Sequence, residues 1–378
     1  MKKILFDLTA TQPFGNNTRH GGGKYGEMVL LRMLQMKCNI VCYFDSKRWL
    51  NPNIKNDLLK NDVELFDINL CSIQDLVSRT KCDLVYSALP QRALFKLKNC
   101  NVYCTIHGLR RLELQTDPYF LLYKGQSWKS WIAYFAQLLS PMLYRKAMCK
   151  YKLSEWCNSN IHLITVSNHS ASSIKYFFPK LKDKTIPVFY SPSTSSGQIH
   201  ERKYSDNFFL LVSGNRVEKN NLRAIRAFDN LFSSGYLIGY KVKIVGANNE
   251  QIFRYKIKNK ENFDFLGYVE DCKLEQLYHD AYALIYPSLN EGFGYPPLEA
   301  MQYGTPVLAS PFTSITEICA GAALYFNPLS ISEIATRIIY ILDKNVRKKY
   351  SELSVERYLK ISKKQEEDLN ALVRYLYK

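Results

Sequence analysis

No apolar run in this 378-residue chain approaches the roughly 18 residues that a bilayer-spanning helix needs. The opening Met1 to Leu8 reads as a first strand and not a leader, because Asp7 interrupts the apolar stretch at once. The ten cysteines include no C-x-x-C pair, and the closest spacings are Cys38/Cys42 and Cys100/Cys104. Both pairs fall in strand-like apolar runs, which suits buried small hydrophobes in a reducing cytosol better than metal ligands. Aspartates never stand as D-x-D, the spacing that would hold a divalent metal against a diphosphate. No G-x-S-x-G elbow exists to go with His20-Gly21-Gly22-Gly23, so that esterase-like loop does not imply a hydrolase. Repeats and low-complexity tracts are missing, and no nucleic-acid module pattern appears, so nucleic acid is not an expected partner.

What is present is a globular composition long enough for two cores, with charge placed unevenly. Residues 1–187 hold 27 Lys and Arg against 13 Asp and Glu, a net +14, whereas residues 188–378 hold 24 against 21, a net +3. A basic first half beside a near-neutral second half suggests that the first half meets something anionic. Within it, Tyr119 to Leu153 carries Lys124, Lys129, Arg145, Lys146, Lys150 and Lys152 and no acid. Trp128, Trp131, Tyr134, Phe135, Leu138, Leu139 and Leu143 lie among them at helical spacing. That mixture suits an interfacial helix on an anionic membrane, and core packing of the aromatics explains the same spacing.

The densest chemistry lies between Ala283 and Gly304. Ala283 to Tyr286 reads as a buried strand, Gly292, Phe293 and Gly294 as a turn, and Pro296 and Pro297 as a helix start. Glycines let the backbone approach a ligand closely, and a helix N-terminus favours an anion, so the unit reads as a phosphate pocket. Glu291 in the loop and Glu299, read here in the first helical turn, bracket it. Carboxylates are unsuited to phosphate and suited to accepting hydrogen bonds from hydroxyls. Phosphate with hydroxyls points to a nucleotide sugar. Glu291 and Glu299 have the E-x7-E spacing. With Pro287, Ser288, Gly292 to Gly294, Pro296, Pro297 and Tyr303 to Val307, the segment resembles the donor site of retaining GT-B glycosyltransferases of family 4.

The rest of the chain follows that resemblance. Strand-like runs at Lys3–Leu8, Asn39–Phe44, Val63–Phe66, Asp83–Ser87, Asn101–Ile106 and Ile161–Ser167 alternate with helical stretches, as in a doubly wound parallel sheet. Gly21, Gly23 and Gly26 spell G-x-G-x-x-G, with Asp45 at the end of the next strand. A dinucleotide fingerprint, however, needs a tight turn where a dozen residues intervene. The resemblance instead makes Gly22 and Gly23 part of a glycine-rich loop that faces the donor diphosphate. His107, at a strand's carboxyl end, is where ligand groups sit in such sheets, and the family places a histidine there near the sugar. Arg110 and Arg111 follow, as acceptor contacts or as solvated charge. After Phe208–Ser213 come Arg216 and Lys219. A guanidinium can grip phosphate oxygens in pairs and an ammonium offers a point charge. In the family an arginine and a lysine at this turn stabilise the departing diphosphate, commonly five apart where here they are three apart. Tyr268 and Val269 match the segment that lines the base pocket.

The resemblance implies two Rossmann-like domains facing across a cleft: residues 1–187 for the acceptor, a linker at 188–205, 206–350 for the donor, and a terminal helix at 351–378 crossing back. It implies a retaining, metal-independent transfer with a nucleotide sugar as co-substrate and no further cofactor. The acceptor is expected to be a glycan, lipid-linked in bacterial surface polysaccharide synthesis. The expected location is cytoplasmic and peripheral on the inner membrane face. A GT-B epimerase, a nicotinamide oxidoreductase and a basic binding protein are the competing readings.

Overall fold

Strand after strand in this chain is apolar on both faces, and such strands belong in parallel sheets covered on either side. The computed structural model describes residues 2–13, 21–124, 127–141, 143, 154–193, 207–247 and 257–377. His20, linker residues 194–205, and Arg145, Lys146, Lys150 and Lys152 lie outside them. The first sheet joins β1 (Ile4–Asp7), β2 (Ile40–Phe44), β3 (Leu65–Asp67), β4 (Leu84–Ser87), β5 (Asn101–Ile106) and β6 (Ile161–Thr165). Its order is β3-β2-β1-β4-β5-β6, all parallel. The second joins β7 (Phe208–Leu211), β8 (Lys241–Val245), β9 (Phe263–Leu266), β10 (Ala283–Tyr286), β11 (Val307–Ala309) and β12 (Ala323–Tyr325). Read from β9, its order is the same: β9-β8-β7-β10-β11-β12. Each sheet therefore reverses direction once, between β1 and β4 and between β7 and β10. Ligands bind beyond the carboxyl ends of strands at such switch points.

The chain divides into two compact units, Met1–Leu109 with Arg145–Thr194 and Lys363–Lys378, and Arg110–Tyr144 with Ser195–Ser362. Residues 110–144, read from sequence as part of the first domain, thus cluster with the second unit. Their side chains explain it: Tyr119, Leu122 and Tyr123 pack on the core built from Phe209, Phe228, Ile244, Ile285 and Ile338. The terminal helix is longer than its apolar spacing suggested, running unbroken over Lys344–Tyr377. Its portion from Lys363 belongs to the first unit. There Arg32 grips Glu366 at 2.7 and 3.0 Å, and Asp368 accepts from the Tyr190 amide at 2.8 Å.

Gly21, Gly22 and Gly23 open a helix, α1 (Gly21–Gln35), instead of forming a loop. Close packing accounts for two glycines. A Cβ on Gly22 would stand 2.8 Å from the Leu89 side chain, and one on Gly26 would meet Thr11 and Ala88 at 2.8 and 2.9 Å. Small residues here let α1 lie against the end of β4.

Candidate functional site: a buried lysine–glutamate pair at the second switch point

The loops that follow β7 and β10 meet where the second sheet reverses. Beyond β7, Ser213 takes a left-handed conformation (φ 57°), and the Gly214 amide donates to the Val245 carbonyl at 2.9 Å. A Cβ on Gly214 would come within 2.8 Å of Ala247, so a glycine is required there. A short 3-10 turn, Val217–Lys219, then delivers Lys219 inward, with Asn220 at φ 57° ending it. Asn220 fixes this turn by donating to the carbonyls of Pro287 (3.1 Å) and Pro328 (2.7 Å).

Lys219 is 4% exposed and Glu291 7%. The Lys219 ammonium donates to Glu291 Oε1 at 2.5 Å and to the Tyr286 hydroxyl at 2.6 Å. Tyr286 and Ser288 also donate to Glu291 Oε1, at 2.7 and 2.5 Å. One carboxylate oxygen thus takes three donors, while Oε2 has no hydrogen bond among the described residues. Burial alone would raise the Glu291 pKa, but the Lys219 ammonium and these hydroxyls outweigh it and hold the group below the usual carboxylate range. For Lys219, burial dominates, and with Arg216 and Arg110 it pushes the ammonium down against the pull of Glu291. Lys219 Nζ and Glu291 Oε1, 2.5 Å apart, have the geometry of an ion pair. Lys219 has three N–H donors and the pair uses two, leaving one for a ligand.

The loop itself is pinned from behind. Thr313 accepts from the Glu291 amide at 2.9 Å, and Ser314 donates to the carbonyls of Glu291 (3.0 Å) and Phe293 (2.9 Å). Gly294 stands at φ 111°, and a Cβ there would meet nothing within 4 Å, so open space lies above it. It caps α10 (Tyr295–Gln302, the tenth helix among the described residues). Pro296 and Pro297 occupy the first turn and carry no N–H. This helix end therefore offers fewer free amides than a helix N-terminus normally does, and more of any anion binding falls to the cations.

Glu299 is the fifth residue of α10, beyond the first turn to which its sequence position assigned it. The buried Tyr278 hydroxyl bonds to it, and Tyr278 also lies close enough to Tyr286 for the two phenols to influence each other. Each glutamate thus has a buried tyrosine as partner, Tyr286 for Glu291 and Tyr278 for Glu299. Sequence reasoning missed both tyrosines, along with Glu218. Tyr286 sits in an apolar strand and Tyr278 in a helix, and nothing local marks either as polar in role.

Arg216 joins the cluster less directly. Its Nε donates to Glu218 Oε1 at 2.7 Å. Tyr268 and Val269 follow β9, two strands from the switch point, and Tyr268 is exposed. In the first unit, His107 ends β5, with Nε2 2.9 Å from the Ala88 carbonyl and its ring edge-on to Tyr25 at 4.6 Å. Since a carbonyl only accepts, Nε2 carries the proton. Gly22, Gly23 and His107 thus gather at the carboxyl end of the first sheet, beside β4.

The family model for glycosyl transferases group 1 matches residues 196–358. The chain is 31% identical over 250 residues to the O-antigen chain mannosyltransferase RfbU of Salmonella typhimurium, covering 65% of this chain and 66% of that protein. It is 38% identical over 219 residues to O-antigen chain mannosyltransferase B of Escherichia coli, covering 53% and 58%. Among solved structures, Anabaena HepE with UDP and glucose superposes with TM-score 0.68 at 14% identity, over 100% of this chain and 99% of that one. WaaG, a glycosyltransferase of lipopolysaccharide biosynthesis, gives TM-score 0.64 at 15% identity over 99% and 98%. The two doubly wound sheets are those of the GT-B fold, and residues 196–358 match the family of glycosyl transferases group 1.

Proposed function

We propose that this protein is a retaining, metal-independent glycosyltransferase. It moves a hexosyl group, mannosyl by similarity to its relatives, from a nucleotide sugar to a hydroxyl of a glycan acceptor. The observation that carries the reading is the buried Lys219–Glu291 pair at the second switch point. It combines a cation with an N–H to spare and a carboxylate with one oxygen unoccupied. Lys219 and Arg216 stabilise charge developing on the leaving diphosphate, the term that dominates many such reactions. Glu291 Oε2 orients the sugar through its hydroxyls, and Glu299 holds the ribose diol. Gly292, Phe293 and Gly294 line the diphosphate, and Tyr268 and Val269 the base. Gly22, Gly23 and His107 enter through the family resemblance. Substitution takes place on one face of the sugar, the leaving phosphate accepting the proton of the attacking hydroxyl.

The acceptor is a lipid-linked glycan of a bacterial surface polysaccharide, used on the inner face of the membrane. Support comes from α6 (Trp128–Leu139), which buries none of its 12 residues and exposes Trp128, Trp131, Ile132, Phe135, Leu138 and Leu139. Large apolar residues exposed together mark an interaction surface, and a segment without acids suits anionic lipid. No described helix is long and apolar enough to cross a membrane. Incubation with GDP-mannose or UDP-glucose and a lipid-linked glycan, with the anomeric configuration read by NMR, tests the reading. An α-linked donor gives an α-linked product; an inverted product, or donor converted with no acceptor added, overturns it.

A further inference from the structure

Glu218 is a buried acid immediately before the lysine of the site, and it holds two arginines. Its Oε1 accepts from Arg216 Nε at 2.7 Å and from an Arg110 terminal nitrogen at 2.8 Å. Arg110 reaches it from the other half of the sequence, on a strap tied down along its length. Glu113 accepts from Asn290, the neighbour of Glu291, at 2.6 Å. Asp117 takes both terminal nitrogens of Arg223, at 2.8 and 3.1 Å, and Tyr123 accepts from the Leu222 amide at 3.2 Å. Tyr119 lies against the guanidinium of Arg223, 4.0 Å from its ring centre. These ties give Arg110 a fixed position that an arginine on an unattached loop would lack.

Three facts about Arg110 are unexplained by structure alone. Its Nε is buried with no hydrogen-bond partner, a state that costs stability unless a ligand completes it. It lies near enough to Lys219 to push that ammonium's pKa down. It also shares its carboxylate with Arg216, so two guanidinium groups meet one negative charge. Arg110, Arg216 and Lys219 thus cluster around Glu218 and Glu291, three cations to the two carboxylates that they contact.

We propose that Arg110 is a third cation of the diphosphate site, delivered by the strap 110–124, and that Glu218 is the positioning residue holding Arg110 and Arg216 toward the phosphates. The inference rests on the nucleotide-sugar reading above and extends it to a residue from the first half of the chain. Arginine's fork binds two phosphate oxygens at once, and an arginine already fixed by a carboxylate loses less freedom on binding.

Calorimetric titration with inorganic pyrophosphate, GDP and GMP tests it. Arg110→Met keeps the apolar stem and removes the fork. It should weaken pyrophosphate and GDP about thirtyfold, the scale of one hydrogen bond to a charged group. It should leave GMP affinity and the melting temperature near the wild-type values, so that the GDP/GMP affinity ratio collapses. Arg110→Lys, which keeps the charge, should recover part of that loss. Glu218→Gln separates positioning from simple electrostatics. Deleting a negative charge should tighten diphosphate binding if only net charge matters, and weaken it if Glu218 aims the arginines. An unchanged GDP/GMP ratio in Arg110→Met, parallel loss of both ligands with a lowered melting temperature, or tighter binding in Glu218→Gln each overturns the proposal. If wild type prefers neither GDP nor pyrophosphate and Lys219→Ala changes nothing, the nucleotide-sugar reading fails first.

Discussion

Removing Glu291 should do more harm than removing Glu291 and Lys219 together. The pair is almost fully buried, and Oε1 of Glu291 is the acceptor for the Lys219 ammonium at 2.5 Å. Glu291→Ala leaves an ammonium in a dry site with only the Tyr286 hydroxyl beside it. Breaking one side of a buried pair typically costs about 3–5 kcal/mol, because the remaining charge goes uncompensated. For a unit of this size each kcal/mol lowers the melting temperature by roughly 2–4 °C, so the single variant should melt about 6–20 °C below wild type. Lys219→Ala should cost less, since Glu291 keeps the Tyr286 and Ser288 hydroxyls and can take up a proton. In Glu291→Ala/Lys219→Ala neither charge of the pair remains to be left uncompensated, and the double variant should be more stable than Glu291→Ala. Scanning calorimetry on all four proteins closes the cycle, with an expected coupling of about 1–3 kcal/mol. Additive losses would show that the two groups do not depend on one another, and the ion-pair description of the site would be refuted.

Lys219→Ala should lower turnover by roughly two orders of magnitude, the scale of one transition-state donor; near-normal turnover would reduce the cation to structure. Glu299→Ala should weaken nucleoside diphosphate binding while sparing inorganic pyrophosphate, and equal affinity for both in variant and wild type would remove the ribose role. The pH dependence has two signs. Glu291 has a lowered pKa, so its contribution to stability is present above the unfolded carboxylate range and is lost as pH falls through the folded value. Acid unfolding of Glu291→Gln should therefore be shallower than that of wild type. The Lys219 pKa lies below the ordinary 10.5, so turnover should decline on the alkaline side before a normal lysine titrates; a profile flat to that pH contradicts the assignment. Sedimentation with phosphatidylglycerol vesicles should carry the wild-type protein down, and Trp128→Ser/Leu139→Ser should stay in the supernatant. Equal binding to phosphatidylcholine, or none to either, removes the membrane role of α6.

The fold was largely legible because most of the twelve described strands are apolar runs bounded by polar turns. Val307–Ala309 and Ala323–Tyr325 are three residues each, too short for any period to show. The site loops could be read because glycine, proline and charged residues fall at spacings with a local meaning. Residues whose role depends on partners far along the chain were hidden. Nothing around Arg110 reveals that Glu218, 108 positions later, receives it, and the helical pattern of Tyr119 to Leu139 does not say which part is covered. The structure divides that stretch: Tyr119, Leu122 and Tyr123 pack on the second unit's core, while Trp128 onward is exposed. The glycines at 21–26 were misread as a loop because glycine serves close packing and tight turning equally well, and only contacts across the sheet distinguish the two.

On this reading the second switch point holds a diphosphate through Lys219. Titrating GDP and UDP into wild type and Lys219→Ala tests it most directly. One site per chain is expected in the wild type, with the preference for diphosphate over monophosphate largely lost in the variant. Binding that ignores Lys219, or no nucleotide binding in the wild type, would contradict it.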